Sequence, residues 1–348
     1  MYGMLIDTTR PRFERFLLGA IGVAVTALYA AVLLDPSMGR PLHNAIAAFE
    51  AGKPADELPA LSSDPWVNIA PATARQTDIA TQPPSVVLVD ELFRRVDYRL
   101  EGVRLGELAV PRVLLETVPV DLAAVESPAE RKRLFIQLAL PLVLQANEYI
   151  MADRARLIGL DQEITTTGAI ADAADRAWLA SLASRYGIET LDTEALLLRV
   201  DAVPPSMALA QGAEESGWGT SRFVREGNAI FGQRTFVAGT GLVPEDRDAD
   251  KSHEVRSFDR LLGSVASYMA NLNTHFAYDK FRDMRAAQQQ SSGAMDSMAL
   301  IGALDRYSER GEDYISTIRT IIEFNGLRAY DRARLSDGDE VVLNQSAI

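Results

Sequence analysis

At 348 residues, with 47% hydrophobic and 24% charged side chains, the chain has the composition of a packed globular domain carrying additional segments. Its formal charge of −13 excludes a nucleic-acid partner, because binding a polyanion draws on clustered Lys and Arg that this sequence lacks. The absence of cysteine excludes disulfides, thiolate metal sites and thiol nucleophiles, and the three histidines, His43, His253 and His275, show no ligand spacing, so neither a metal nor a cofactor is expected.

Residues 1–15 end in Arg10, Arg12 and Arg15, and the uncharged run from Phe16 to Leu34 follows, FLLGAIGVAVTALYAAVLL, with Asp35 beyond it. Nineteen residues at about 1.5 Å of helical rise each cross the hydrocarbon of a bilayer. The arginines keep the amino terminus in the cytoplasm, so the expectation is a single-pass inner-membrane anchor with everything after Asp35 in the periplasm. A cleaved signal peptide is the competing reading. The run is longer than a usual signal core and ends without a small-x-small site.

Residues 35–85 are rich in proline, from Pro36 to Pro84, and read as a linker. Residues 86–126 alternate apolar and polar positions in SVVLVDELF, YRLEGVRL and AVPRVLLETVPVDL, which points to short strands or an extended segment. From 127 the period becomes helical. Ser127, Pro128 and Glu130 form a capping box ahead of Leu134, Leu138 and Leu142, with Pro141 placed to kink the helix. Further helices are expected over Asp172–Tyr186 and Thr193–Val200, then one beginning near Ser206. The Gly-rich charged stretch after Phe236, returning through His253 to Phe258, suits a hairpin or small β-lobe. Three more helical patterns follow, at Leu261–Leu272, Met298–Tyr307 and Tyr314–Ile322. The fold class is therefore α+β, mainly α-helical, over about 127–330, with a tail at 331–348.

The chemistry concentrates in Pro204–Phe236, PPSMALAQGAEESGWGTSRFVREGNAIFGQRTF. A helix from Ser206 puts Met207, Gln211 and Glu215 on one face, and Gly217 and Gly219 end it around Trp218. A carboxyl on the last turn meets the negative end of the helix dipole, and the adjacent indole removes water from one side. Both effects disfavour the carboxylate, which is how a glutamic acid keeps a proton to donate near neutral pH. The bland alternative makes Glu214 and Glu215 two exposed helix residues and Trp218 a core aromatic.

AQGAEESGWGTS followed by Asn228-Ala229-Ile230-Phe231-Gly232 resembles the signature of the bacterial glucosaminidase-domain family, A-Q-x-x-x-E-S-G-W-G-x-S and then N-x-F/W-G. The strings SHEVRSFD and YMANLNTH are similar to its Bax-protein branch, and the resemblance covers about residues 125–330. It implies a lysozyme-like α+β domain with a small β-lobe, preceded here by the transmembrane helix, and cleavage of the β-1,4 bond after N-acetylglucosamine in peptidoglycan. It puts the catalytic glutamate on Glu215, with Glu214 as its neighbour. A tyrosine that lines the family's cleavage site falls on Tyr307, in YSERGEDY, where the usual T-D-P is replaced and one residue is added.

A second carboxylate in the β-lobe is expected at Glu245, with Asp246 and Glu254 as rivals and the substrate's own acetamido group as the alternative nucleophile. Gln211, Trp218, Asn228 and Phe231 are expected to contact substrate, with Trp218 and Phe231 at the groove edge and Tyr268 buried on its helix. Asp246, Asp248 and Asp250 begin like a calcium loop, but Lys251 and Ser257 stand where glycine and glutamate are required, so no metal is assigned. A lytic transglycosylase is the competing enzyme, disfavoured because no G-L-M-Q-like segment follows Gly232. A catalytically silent, membrane-tethered wall-binding or scaffold protein is the competing non-enzyme.

Overall fold

Ser85 accepts a hydrogen bond from the Leu88 N–H at 3.3 Å and starts a helix, α1 (Val86–Arg95), whose Val89 and Phe93 are buried. The computed structural model describes residues 84–245, 247, 252–338 and 341–343. The expected membrane span at 16–34, most of the expected 35–85 linker, most of the start of the calcium-like loop and the last residues of the tail lie outside the described residues.

The first departure from expectation is local. SVVLVDELF is helical, not extended, because the serine cap and the i, i+4 pair Val89 and Phe93 outweigh its β-branched residues, and Arg94 and Arg95 suit the helix's negative end. α2 (Leu100–Arg104), β1 (Val113–Leu115) and a 3₁₀ turn (Leu122–Ala124) complete 86–126. Of that stretch only β1 is a strand.

Around α3 (Pro128–Thr167) the rest is organised. Ser127 caps it through the Glu130 N–H, Pro128 occupies the first turn, and left-handed Gly168 ends it. Every residue from Leu134 to Ala146 is buried, so this stretch of the helix is mostly apolar on every face because protein surrounds it there. It is the one described helix long and apolar enough to cross a membrane, and 83% of its apolar window is buried inside the protein, as in a core helix. The helix runs on through Pro141.

α4 (Ala173–Arg185) and α5 (Thr193–Arg199) start at the caps Asp172 and Asp192. α6 (Pro205–Ser216) and α7 (Arg222–Gly227) follow. A small antiparallel sheet comes next, β2 (Arg234–Thr235), β3 (Gly241–Leu242) and β4 (Glu254–Arg256), in the order β2-β4-β3. This is the expected β-lobe. Then come α8 (Leu261–Thr274), α9 (Asp279–Ser292), α10 (Ser297–Ile301) and α11 (Glu312–Phe324), with a 3₁₀ turn (Leu327–Arg332) and β5 (Val341–Leu343). The pattern at Met298–Tyr307 is helical only as far as Ile301, where Gly302 caps it and the chain turns.

The expected boundaries at 127 and 330 are not breaks in the structure. Val89, Phe93, Val113 and Leu115 belong to the same buried core as α3, α6 and α8. β5 pairs in parallel with β1, with Val113 opposite Val341, and Val110 bridges to Leu335. A short strand has no other partner with which to satisfy its backbone, so the two flanking segments close on each other.

α6 is held at its start from far along the chain. Pro204 offers no side-chain cap, and Asp331, in the closing 3₁₀ turn, takes that role. Its Oδ1 accepts the Ser206 N–H at 2.8 Å, while Oδ2 accepts the Ser206 and Ser297 hydroxyls, each at 2.8 Å. Burial raises the Asp331 pKa and these three donors oppose the rise. Asp331→Ala strands those donors, and we expect it to lower the unfolding free energy by about 3 kcal/mol, read as a fall in the urea midpoint at constant slope.

Candidate active site

The helix α6 packs against α3 on one side and against α11 and the closing 3₁₀ turn on others. Its lone interior glycine has a packing reason. A Cβ on Gly212 would sit 3.0 Å from Ile230 Cγ2 and 3.4 Å from Phe231 Cε1, so glycine lets the Asn228–Gly232 segment lie against the helix.

At the end of α6 three successive residues are left-handed: Gly217 at φ 58°, Trp218 at 61° and Gly219 at 80°. A tryptophan there costs on the order of 1 kcal/mol, a strain of the kind that gathers at functional sites. The Ser216 hydroxyl, bonded to the Gly212 carbonyl, accepts the Gly219 N–H at 2.8 Å and ties the turn down. A Cβ on Gly219 would meet Leu122 at 3.1 Å and Phe135 at 3.2 Å, so the turn has no room for a larger residue. Trp218 stays half-exposed, edge-on to Phe135 with ring centres 5.7 Å apart.

Glu215 sits on the last turn, just before this bend. Its carboxyl is open to solvent on one side and crowded by protein on the others. Tyr314 Oη donates to Oε1 at 2.9 Å, and the place of a Cβ on Gly232 lies 3.9 Å from Oε2. The pKa of Glu215 is raised, first by desolvation and also by the Glu214 charge, against the Tyr314 hydrogen bond and the Arg310 cation. Arg310 Nη1 donates to Glu214 Oε1 at 2.7 Å, so the neighbouring carboxylate is paired.

Behind Glu215 runs a chain of hydroxyls and one amide. Tyr268 Oη donates to Gln211 Oε1 at 2.6 Å, and Gln211 Nε2 donates to Tyr314 Oη at 3.1 Å. Gln211 and Tyr268 are fully buried. Phe231 stacks on Tyr268 with ring centres 3.9 Å apart, and Tyr307 stacks on Tyr314 at 5.4 Å while meeting Tyr268 and Tyr278 at 6.4 and 6.2 Å. Burial raises the Tyr268, Tyr307 and Tyr314 phenols well above their ordinary values, and the Glu215 charge adds to each. All three stay protonated, and Tyr268 and Tyr314 donate.

The structure thus brings Glu215, Gln211 and Tyr307 together, with Trp218 on the adjacent turn. Two expected substrate contacts are turned inward instead. Phe231 is 4% exposed and lies beneath the site, not at a groove edge. Asn228, left-handed at φ 54°, caps α7 and donates from Nδ2 to the Phe258 carbonyl at 3.0 Å, which fastens the β-lobe junction. Glu254 is buried, accepting the Gly239 and Gly241 N–H groups at 3.0 and 2.9 Å, and is committed to the lobe's loop. Glu245 has an 80% exposed side chain, 3.3 Å from Arg222 Nε. Asp246 lies outside the described residues.

Tyr314 is the site residue that the sequence reading gave only as the first member of a helical pattern. Its spacing with Ile318 and Ile322 belongs to the buried stripe of α11, which hid it. The available signal was chemical: a buried tyrosine needs a partner for its hydroxyl, and this one opens a helix beside a second tyrosine.

Comparison with known proteins agrees with this location. Residues 195–327 match the glucosaminidase family model, described as mannosyl-glycoprotein endo-beta-N-acetylglucosaminidase. The chain is similar to protein bax of Escherichia coli (strain K12), 32% identical over 200 residues that cover 56% of this chain and 69% of that protein. No solved structure matches.

Tyr314→Phe removes a hydrogen bond that favours the carboxylate, so the Glu215 pKa is expected to rise further, followed by carbon-detected NMR titration of labelled glutamate carboxyls. The folded protein holds the Glu215 proton more tightly than the unfolded chain does. Stability therefore falls as pH rises from the unfolded carboxyl value through the folded one, and Glu215→Gln removes that loss. At pH 7 the variant should melt no lower than wild type by calorimetry.

Proposed function

The chain belongs to the glucosaminidase-domain family, in the branch of protein bax, and we propose that it is a peptidoglycan hydrolase that cuts the β-1,4 bond after N-acetylglucosamine, with Glu215 as general acid. The observation that carries this reading is the Glu215 carboxyl itself, raised in pKa, held by Tyr314 and open on one side.

In the proposed reaction Glu215 gives its proton to the glycosidic oxygen as the bond to C1 breaks, and the leaving sugar departs as an alcohol. Positive charge spreads over C1 and the ring oxygen, and water then adds at C1 and releases a proton. Tyr314 and Tyr307 wall the acid on its inner side, and Gln211 orients Tyr314. Trp218 offers a flat face to a pyranose ring. Asn228 and Phe231 support the reading through position, as clasp and floor, not by touching sugar. Glu245 is proposed as the second carboxylate, since Glu254 is held by the lobe's backbone; the substrate's acetamido group is the alternative nucleophile.

The 16–34 span is proposed to anchor this domain on the periplasmic face of the inner membrane. With a charge of −13, glycan strands and not nucleic acid are the proposed partner.

Glu215→Gln is expected to reduce release of reducing N-acetylglucosamine ends from purified sacculi by about a thousandfold. Undiminished release would refute the assignment, and 1,6-anhydro ends from wild type would make the enzyme a lytic transglycosylase. Failure of wild type to digest sacculi would leave the scaffold reading. The acid must be protonated, so the wild-type rate should fall as pH rises through the Glu215 pKa. Tyr314→Phe should move that falling limb to higher pH, measured on soluble glycan strands.

A further inference from the structure

Next to Glu214 and Trp218, a groove of about 440 Å³ opens between the start of α3, the end of α6 and the length of α11. This lies in the range of small-ligand pockets, about 300–1,000 Å³. Trp218 stands at one side and Phe324 at the other, and Phe324 is 80% exposed. Ile321 lines the groove with them, and an apolar patch left open to water marks a binding surface where a lone exposed residue would not.

Between the two rings lies the Lys132 ammonium, 4.8 Å from the Trp218 ring centre and 5.1 Å from that of Phe324. One of its three donors goes to Asn325 Oδ1 at 3.2 Å. Among the described residues Lys132 has no ion-pair partner, and the carboxylate that shares the groove, Glu214, is held by Arg310. The Thr317 and Thr320 side chains complete the wall. The groove therefore combines two aromatic faces, hydroxyls and a cation without a counter-charge.

We infer that this groove is a subsite for a pyranose carrying a free carboxylate, stacked on the exposed Phe324 ring with its acid group on Lys132. The inference rests on the hydrolase reading, which brings a glycan to Glu215, and Glu214 joins the two places. In peptidoglycan the acidic pyranose is N-acetylmuramic acid, whose lactyl carboxyl is free only where the stem peptide has been removed. The preferred substrate is then a denuded strand, and the reaction that supplies it is hydrolysis of the amide between lactyl group and peptide.

The test uses the full chain carrying Glu215→Gln, so that binding is read without turnover, and titrates it calorimetrically with the disaccharide N-acetylglucosaminyl-N-acetylmuramic acid and with its lactyl carboxamide. The acid should bind about tenfold more tightly than the amide, a charge-assisted hydrogen bond against a neutral one. Adding Lys132→Gln should make the two equal. Phe324→Ala, at a surface position that does not hold the fold, should weaken both by the same factor. Equal affinity for acid and amide with Lys132 in place, a preference that survives Lys132→Gln, or no binding of either sugar would overturn the subsite. Failure of the hydrolase reading is separate: it would appear as intact sacculi with the wild-type chain.

Discussion

A glutamic acid that is to donate a proton near neutral pH must stand where its charged form is poorly solvated and where a substrate can still arrive. Glu215 meets both demands by sitting on the last turn of a buried helix, before a bend that opens outward. Much of the surrounding structure follows from keeping that turn in place. Asp331 fixes the start of the helix, Gly212 lets the Asn228–Gly232 segment close on its flank, and the left-handed run from Gly217 to Gly219 ends it abruptly. Each device is polar or steric, not apolar packing.

The balance around the carboxyl is one of opposing influences. Desolvation and Glu214 favour the proton, while Tyr314 and Arg310 favour its loss. Arg310 is at once the partner of Glu214, so a single cation limits both the repulsion and its own attraction for the acid. A buried acid without such opposition would hold its proton too firmly to give it up.

How legible this was in the sequence depended on the range of the interaction. The helix that carries Glu215, its glycine bend and the small β-lobe could be read because glycine placement and spacing act within a few residues, whereas the Asp331 cap at the helix start could not. Tyr314 could not, since its partner is 99 positions away and its own spacing is that of a core residue. Asn228 and Phe231 were recognisable as parts of a motif, yet a motif does not say which members face water. Both proved to be buried fasteners. The helix at Val86–Arg95 reads as strand or extended segment because valines lead it and apolar and polar positions alternate, and a serine cap decides for helix. The union of β1 with β5 is a parallel pairing across more than two hundred residues, for which no local pattern exists.

The direction of the hydrogen bonds from Tyr268 through Gln211 to Tyr314 has a stereochemical consequence. Because the phenol presents its hydrogen to Oε1, the neutral acid must carry its own on Oε2. That oxygen lies on the Gly232 side, 3.9 Å from where a Cβ on that residue would stand. In the proposed reaction, an amide buried beneath the site thereby sets which carboxyl oxygen carries the proton for the leaving oxygen, and so the side from which a glycan would approach.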